Sequence, residues 1–305
     1  MMIGRKEWLQ LLGAPENWTY EPSLKLVKKT QWEDFVFETY LQANGISPDG
    51  EPTYQRVVLG LPKNAAEKLP AVVVPFYYPE ATLGFDPETG EPLPHFAENP
   101  TMMEILRRGF IAITAEAYHL NYIHSDKDRD DFSRWSDAGS ALCTAHPEWT
   151  GMGKLVADTR LLLDILEKDA RVDSDRIGIA GHSLGGKAAF YTGCLDDRVK
   201  VIVASDFGIL WEQSNWERPW YWGAKLDSMK AQGIDQGSLL ASAAPKPFCL
   251  IAGKFDNEDS RCMLESVPGY EDCKERILIV NHRSGHRPPK YAADAGYGFL
   301  EHWLK

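Results

Sequence analysis

The chain has 305 residues, of which 44% are hydrophobic and 25% are charged, a composition typical of a globular protein. This length is sufficient for one large α/β domain with a substantial core. The net charge of −11 argues against a nucleic-acid partner, because phosphate binding requires clustered Lys and Arg.

The cysteines and the N-terminus indicate a cytoplasmic protein. The five cysteines are scattered and contain no C-x-x-C pair, which favours reduced thiols over disulfides or a zinc site. The opening "MMIGRKEWLQ" has charged residues where a signal peptide requires an apolar run. No stretch approaches the roughly 18 apolar residues of a membrane span, so we expect no membrane partner.

Strand and helix patterns alternate along the chain, without an internal repeat or a flexible linker. We therefore expect one catalytic domain over residues 51–305, with residues 1–50 as an arm packed on it. Two apolar runs, 54–62 and 69–78, suit a hairpin. Later strands and helices alternate as in a largely parallel sheet that is covered by helices on both faces. The later predicted strands cover 110–118, 176–181, 200–208, 247–256 and 276–282, and the main helices cover 151–169, 184 onward and 289 onward.

An insertion of about residues 209–245 interrupts this alternation and is rich in tryptophan. We expect it to form a small cap near the carboxyl ends of the strands, where α/β sheets carry their sites. Its aromatic rings would either bind substrate or form the core of the cap. The tryptophans concerned are Trp211, Trp216, Trp220 and Trp222.

The stretch "RIGIAGHSLGGKAAFY" admits two interpretations. Gly181, Ser183 and Gly185 spell G-x-S-x-G, the strand-to-helix turn that exposes a nucleophilic serine. The same stretch contains most of a P-loop, but Ala188 stands where the magnesium-binding Ser or Thr is required. The serine interpretation is favoured because an acid and a histidine follow in the order that this motif requires.

Asp256 and His286 each follow a predicted strand, and we expect them to complete a relay with Ser183. The alternatives to Asp256 are Asp259 and Asp206, and the alternative to His286 is His282. A glycine before His286 and prolines after it favour the exposed loop that a general base needs. The other histidines lack the spacing of metal ligands, so we expect no metal and no cofactor.

The segments "DSDRIGIAGHSLGGKAAFY", "IAGKFD" and "SGHRPP" resemble the α/β-hydrolase superfamily, in particular its dienelactone-hydrolase-like and acetyl-xylan-esterase-like carboxylesterases. The resemblance covers the chain from about residue 70 onward and implies Ser183 as nucleophile, Asp256 as acid and His286 as base. Dienelactone hydrolases proper carry Cys at the position of Ser183. An oxyanion hole requires two backbone N–H groups, which we expect from Leu184 and from Tyr77 or Tyr78.

The expected reaction is the two-step hydrolysis of carboxylic esters through an acyl-enzyme. The resemblance implies short acyl esters as substrates, including acetylated carbohydrates. A serine peptidase that cleaves oligopeptides is the nearest alternative, because the same three residues cleave peptides. A catalytically silent binding module with the same fold is the second alternative. The sequence does not indicate an oligomeric state.

Overall fold

The computed structural model describes residues 2–13, 24–64, 67–96, 100–124 and 130–305. Within them, nine strands form one sheet: β1 (Leu24–Trp32), β2 (Phe35–Ile46), β3 (Pro52–Pro62), β4 (Leu69–Val73), β5 (Ile111–Ala115), β6 (Val172–His182), β7 (Val199–Ser205), β8 (Phe248–Ala252) and β9 (Ile277–Asn281). The strand order is β1-β2-β3-β5-β4-β6-β7-β8-β9. The first three strands pair antiparallel, and the neighbours from β5 to β9 pair parallel.

Helices cover both faces of this sheet, as the alternating pattern predicts. They are α1 (Arg5–Leu12), α2 (Pro79–Leu83), α3 (Thr101–Arg107), α4 (Asp131–Ala145), α5 (Gly151–Lys168), α6 (Leu184–Leu195), α7 (Lys225–Ala231), α8 (Gln236–Ala243), α9 (Glu258–Glu265) and α10 (Lys290–Leu304). Helices α5 and α6 pack on one face, and α3 and α10 pack on the other. Because both faces are covered, central strands such as β5 and β8 are buried along their whole length.

The two runs expected to form a hairpin are not neighbours in the sheet. Strand β5 lies between them, antiparallel to β3 and parallel to β4. Apolar patterning identifies each strand, but it does not show that a later segment will insert between them. The hairpin prediction is therefore wrong, although both strands exist.

The N-terminal region contributes to the sheet rather than only packing on it. Strands β1 and β2 pair with each other, and β2 pairs along its whole length with β3. The boundary expected at residue 51 therefore falls between two paired strands. Strand β1 forms one edge of the sheet and is mostly exposed, with Lys25, Lys28 and Lys29 among its residues.

Helix α1 anchors the N-terminus through Trp8, which is fully buried. Its ring lies 6.0 Å from the rings of both Tyr191 and Trp222. Among the described residues, no helix combines the length and apolar character needed to cross a bilayer.

Candidate active site

Ser183 occupies a strained turn between β6 and α6. Its φ of 56° and ψ of −117° lie outside the regions that a non-glycine residue ordinarily adopts. Such conformations cost about 1–3 kcal/mol and persist where the surroundings enforce them. Here the Ser183 N–H donates to the carbonyl of Ser205 on the neighbouring strand, at 2.8 Å. The motif has therefore folded as the strand–turn–helix that the serine interpretation requires.

The glycines of the motif allow the turn to be this tight. A Cβ atom on Gly181 would lie 2.1 Å from the carbonyl oxygen of Gly185. A Cβ atom on Gly185 would lie 2.0 Å from the carbonyl oxygen of Pro75, in the loop after β4. Both contacts are to backbone, which cannot move aside as a flexible side chain would. These two positions therefore require glycine.

His286 joins the serine to a carboxylate. Its Nε2 atom lies 2.9 Å from Ser183 Oγ, and its Nδ1 atom lies 2.7 Å from Oδ2 of Asp206. The contact with the serine spans 103 residues of chain. The histidine comes from the loop between β9 and α10, which brings it to the carboxyl end of β6.

The carboxylate beside His286 belongs to Asp206 and not to Asp256, which corrects the expected pairing. Asp256 is fully buried and accepts N–H bonds from Gly208 at 3.0 Å and from Ile209 at 2.7 Å. It also accepts a bond from the Ser260 hydroxyl. Its role in this arrangement is to hold the chain that leaves β7.

The sheet order explains why Asp206 is the partner. Asp206 directly follows β7, the strand beside β6, and the pairing of His182 with Ser205 places it next to Ser183. Asp256 follows β8, which lies one strand further away. The other alternative, Asp259, lies in the first turn of α9, where its N–H donates to the Asn257 side chain.

Four consecutive backbone N–H groups surround the Asp206 carboxylate. They belong to Gly253, Lys254, Phe255 and Asp256 and lie 2.8–3.1 Å from its oxygens. Burial by itself would raise the pKa of Asp206, but the bond to His286 and these N–H donors outweigh it, and the pKa is lowered. Asp206 is therefore ionised at neutral pH and can accept a hydrogen bond from the Nδ1–H group of His286.

The expected oxyanion donors lie near this relay. Leu184 is the first residue of α6, so its N–H has no acceptor within the helix. The loop after β4 approaches the turn through Pro75 and Phe76, both within contact distance of a Cβ built on Gly185. Tyr77 and Tyr78 follow directly, and the Tyr77 carbonyl accepts the N–H of Ala117. The loop is thus adjacent to Ser183, and the choice between the tyrosine N–H groups stays a prediction.

Two further histidines each contact a hydroxyl group other than that of Ser183. The Nδ1 atom of His182 lies 3.1 Å from Ser205 Oγ, and its ring centroid lies 4.5 Å from that of His286. Burial lowers the pKa of His182 to about 3, so it is neutral at pH 7. His282, considered above as an alternative base, uses Nδ1 to contact the Ser284 hydroxyl at 2.8 Å in its own loop.

The four tryptophans of the inserted segment belong to the core. Their exposed fractions are 7% for Trp211, 1% for Trp216, 3% for Trp220 and 1% for Trp222. The indole N–H of Trp211 donates to the carbonyl of Ile234, and that of Trp216 donates to Gly208, which satisfies both polar groups internally.

These tryptophans pack against helices on the α5–α6 side of the sheet. The Trp222 ring packs against the rings of Trp8 and Tyr191, at centroid distances of 6.0 and 5.7 Å. Trp220 lies so close to Gly139 and Gly151 that neither glycine could carry a side chain. The expected substrate-binding role is therefore corrected to a packing role, because rings that are at most 7% exposed present almost no surface to a ligand.

Lys187, which a P-loop would use to bind phosphate, contacts the inserted segment instead. This lysine lies one helical turn after Ser183 and is 2% exposed. Its Nζ donates to Ser214 at 2.9 Å and to Asn215 at 2.7 Å, and it lies 4.5 Å from the ring centroid of Trp216. Burial lowers its pKa to about 7. These contacts commit the lysine to the inserted segment, which also argues against the P-loop interpretation.

No group of three or more His, Cys, Asp or Glu side chains converges as a metal site in the described part of the chain. The contacts at Ser183 place a hydroxyl, an imidazole and a carboxylate in series. Such a series can move a proton from the hydroxyl to the imidazole while the carboxylate stabilises the imidazolium.

Comparisons with solved structures show the fold. The chain is similar to a glucuronoyl esterase from Solibacter usitatus, with a TM-score of 0.71 and 15% identity over 99% of this chain and 92% of that one. A glucuronoyl esterase from Teredinibacter turnerae T7901 gives a TM-score of 0.72 and 18% identity, covering 98% and 83%. Acetyl xylan esterase 1 from Thermoanaerobacterium sp. JW/SL YS485 gives 0.58 and 15%, covering 99% and 94%.

Sequence comparison gives a relative in Bacillus subtilis (strain 168), the hydrolase named YtaP, which is 27% identical over 179 residues. The match covers 53% of this chain and 56% of that protein, so the chain matches little more than half the length of this relative.

The profile of the dienelactone hydrolase family matches residues 56–215. The matched region contains β4 to β7, the turn at Ser183 and Asp206, and it extends over just over half of the 305 residues. With its nine-stranded sheet and its helices on both faces, the chain has the α/β-hydrolase fold and belongs to the dienelactone hydrolase family.

Proposed function

We propose that the protein is a serine carboxylic-ester hydrolase that acts through an acyl-enzyme. The observation that carries this proposal is the series of contacts from Ser183 Oγ to His286 Nε2 and from His286 Nδ1 to Asp206 Oδ2. Membership of a family of hydrolases supports it.

In this proposal, Ser183 Oγ attacks the ester carbonyl while His286 takes the hydroxyl proton. The negative charge on the carbonyl oxygen is stabilised by the Leu184 N–H and by an N–H from the loop of Tyr77 and Tyr78. His286 then gives its proton to the leaving alcohol. In the second step it takes a proton from water, which attacks the acyl-enzyme and restores the serine.

Asp206 keeps Nδ1 of His286 protonated, which leaves Nε2 free to accept the serine proton. Its lowered pKa fits this role, because a carboxylate that stays ionised stabilises the imidazolium formed in each step. The backbone N–H groups around it fix its position, so it requires no movement during the reaction.

We propose short acyl esters as the substrates, including acetylated carbohydrates. The structural neighbours named as acetyl xylan and glucuronoyl esterases support a carbohydrate ester. We also propose a cytoplasmic location, which the five unpaired cysteines support. No residue of the described site requires a cofactor for this chemistry.

A fluorophosphonate probe tests the nucleophile, because it reacts with serines that a neighbouring base activates. We expect wild-type protein to be labelled and S183A to be unlabelled. Hydrolysis of 4-nitrophenyl acetate, compared with aminoacyl 4-nitroanilides, then separates the esterase from the peptidase. Absence of labelling in folded wild-type protein would support the silent binding module, and faster anilide cleavage would support the peptidase.

A further inference from the structure

A cavity of about 130 Å³ lies beside the proposed active site, on the α10 face of the sheet. Its floor is formed by the carboxyl ends of parallel strands, through residues such as Ala180, Val203 and Ile251. Helices α2 and α10 form its walls, through Ala81 and Ala293. The cavity is thus a recess between the sheet and one helical layer.

The lining of the cavity is mainly apolar, and several of the polar groups in its wall are bonded to protein neighbours. The Thr82 hydroxyl donates to the carbonyl of Pro79, and His182 Nδ1 contacts the Ser205 hydroxyl. Arg287, which also lines the cavity, is exposed and therefore belongs to its rim. A ligand in the recess would meet mainly aliphatic side chains, which favours an uncharged apolar group.

The position of the cavity relates it to all three parts of the proposed chemistry. Gly181 and His182, which line it, directly precede Ser183, and Arg287 directly follows His286. Phe76, which also lines it, belongs to the loop expected to supply an oxyanion donor. The lining of the cavity therefore comes within one residue of both Ser183 and His286 along the chain.

We propose that this cavity receives the acyl group of the ester and that it accepts acyl groups up to the size of benzoyl. The inference rests on the proposed function and adds a substrate class to it. A cavity of about 150 Å³ lined by apolar side chains binds benzene, so the volume here suits a branched, butyryl or aromatic acyl group better than it suits acetyl alone.

The order of product release favours the acyl group over the alcohol as the occupant. The alcohol must leave before water attacks, and an alcohol held in the recess would have to pass the acyl-enzyme. An acyl group in the recess stays on Ser183 and leaves the solvent side open to water. His286, which must reach both the alcohol and the water, has a side chain that is 32% exposed, so solvent can approach it.

The test fills the cavity and varies the acyl group. Ala293→Leu places added volume at the wall, and Ala295→Leu is the matched control on the same helix, because Ala295 does not line the cavity. Hydrolysis is measured with 4-nitrophenyl acetate, butyrate and benzoate. We expect A293L to lower kcat/KM for butyrate and benzoate at least tenfold and for acetate less than threefold, with A295L close to wild type throughout.

Phenylboronic and methylboronic acids provide a second readout, since each forms a reversible adduct with an activated serine. We expect A293L to weaken inhibition by phenylboronic acid at least tenfold more than inhibition by methylboronic acid. Ala81→Leu, on the opposite wall, serves as a second filled variant if A293L does not fold.

The outcomes separate the two proposals. Failure of the wild type to hydrolyse acetate or to react with a fluorophosphonate would refute the esterase. If the wild type hydrolyses 4-nitrophenyl acetate but the filled variants lose kcat/KM equally for all three esters, the acyl pocket is overturned and the esterase is not. A loss that follows the size of the alcohol, measured with a series of acetate esters, would likewise overturn the acyl pocket.

Discussion

The Nδ1 atom of His286 lies 2.7 Å from Oδ2 of Asp206, and this contact joins residues 80 positions apart in the chain. Asp206 is fully buried, whereas the histidine reaches solvent. The ionised carboxylate therefore acts on an imidazole that substrate can approach.

Substitution of Asp206 by Asn should remove most activity and leave the fold in place. By analogy with serine hydrolases in general, loss of the carboxylate lowers kcat by about 10⁴-fold because the imidazole takes the wrong tautomer. Asp256→Asn should instead lower the melting temperature, because the buried carboxylate accepts N–H groups of Gly208 and Ile209. Steady-state kinetics and thermal unfolding of both variants check this assignment. A larger loss of kcat in D256N than in D206N would contradict it.

Substitution of Gly185 by Ala should impair both folding and catalysis. The added Cβ would lie 2.0 Å from the Pro75 carbonyl oxygen and would separate the serine turn from the loop after β4. Since misplacement by about 1 Å can cost 10²-fold in rate, we expect kcat/KM to fall by about that factor. Gly298→Ala is the control, because no atom lies within 4 Å of its Cβ. That exposed helical change should stabilise the protein by about 0.5–1 kcal/mol.

Truncation of Trp222 should affect stability rather than substrate binding. The ring is 1% exposed and packs against Trp8 and Tyr191, so Trp222→Ala should cost about 3–5 kcal/mol in free energy of unfolding. Tyr291→Ala, at a 62% exposed position, should cost little and is the control. Urea unfolding and KM for 4-nitrophenyl acetate provide the two readouts. An unchanged unfolding free energy with a large rise in KM would restore the substrate-binding role.

The free energy of unfolding of the wild type, compared with that of the Lys187→Met variant, should rise between pH 7 and pH 10.5. Burial lowers the pKa of Lys187 to about 7, so the folded lysine binds fewer protons in this range than the unfolded one. The cost of burying the lysine is therefore fully present below the folded pKa and disappears as pH rises to the unfolded pKa near 10.5. Urea unfolding of both proteins at pH 7, 8.5 and 10 measures the difference. A difference that stays constant or falls with pH would show that the lysine is charged in the folded protein.

The sequence predicts the central strands and the serine turn well, because their determinants are local. Apolar runs mark the buried parallel strands, and the Gly-x-Ser-x-Gly spacing marks a turn that only small residues allow. His286 is likewise predicted from its own surroundings, a glycine and two prolines in a loop after a strand. These features depend on residues that are close in the chain.

The choice of carboxylate and the role of the tryptophans depend on non-local packing. Asp206 and Asp256 both follow apolar strands, and only the order of the strands shows which one reaches His286. The tryptophan-rich segment has the same composition whether its rings contact substrate or pack against α1 and α6. Periodicity and spacing do not predict such packing partners, because the partners come from segments that are distant in the chain.

The lysines of β1 bear on how the molecule behaves at high concentration. An edge strand has backbone N–H and C=O groups that can pair with a strand of another molecule. The exposed side chains of Leu24, Leu26 and Val27 would favour this pairing. If two copies approached each other through this edge, the lysines of one β1 would lie close to those of the other. Repulsion between these lysines would oppose edge-to-edge association of the two sheets. Added salt shortens the range of that repulsion, so self-association through this strand should increase with ionic strength.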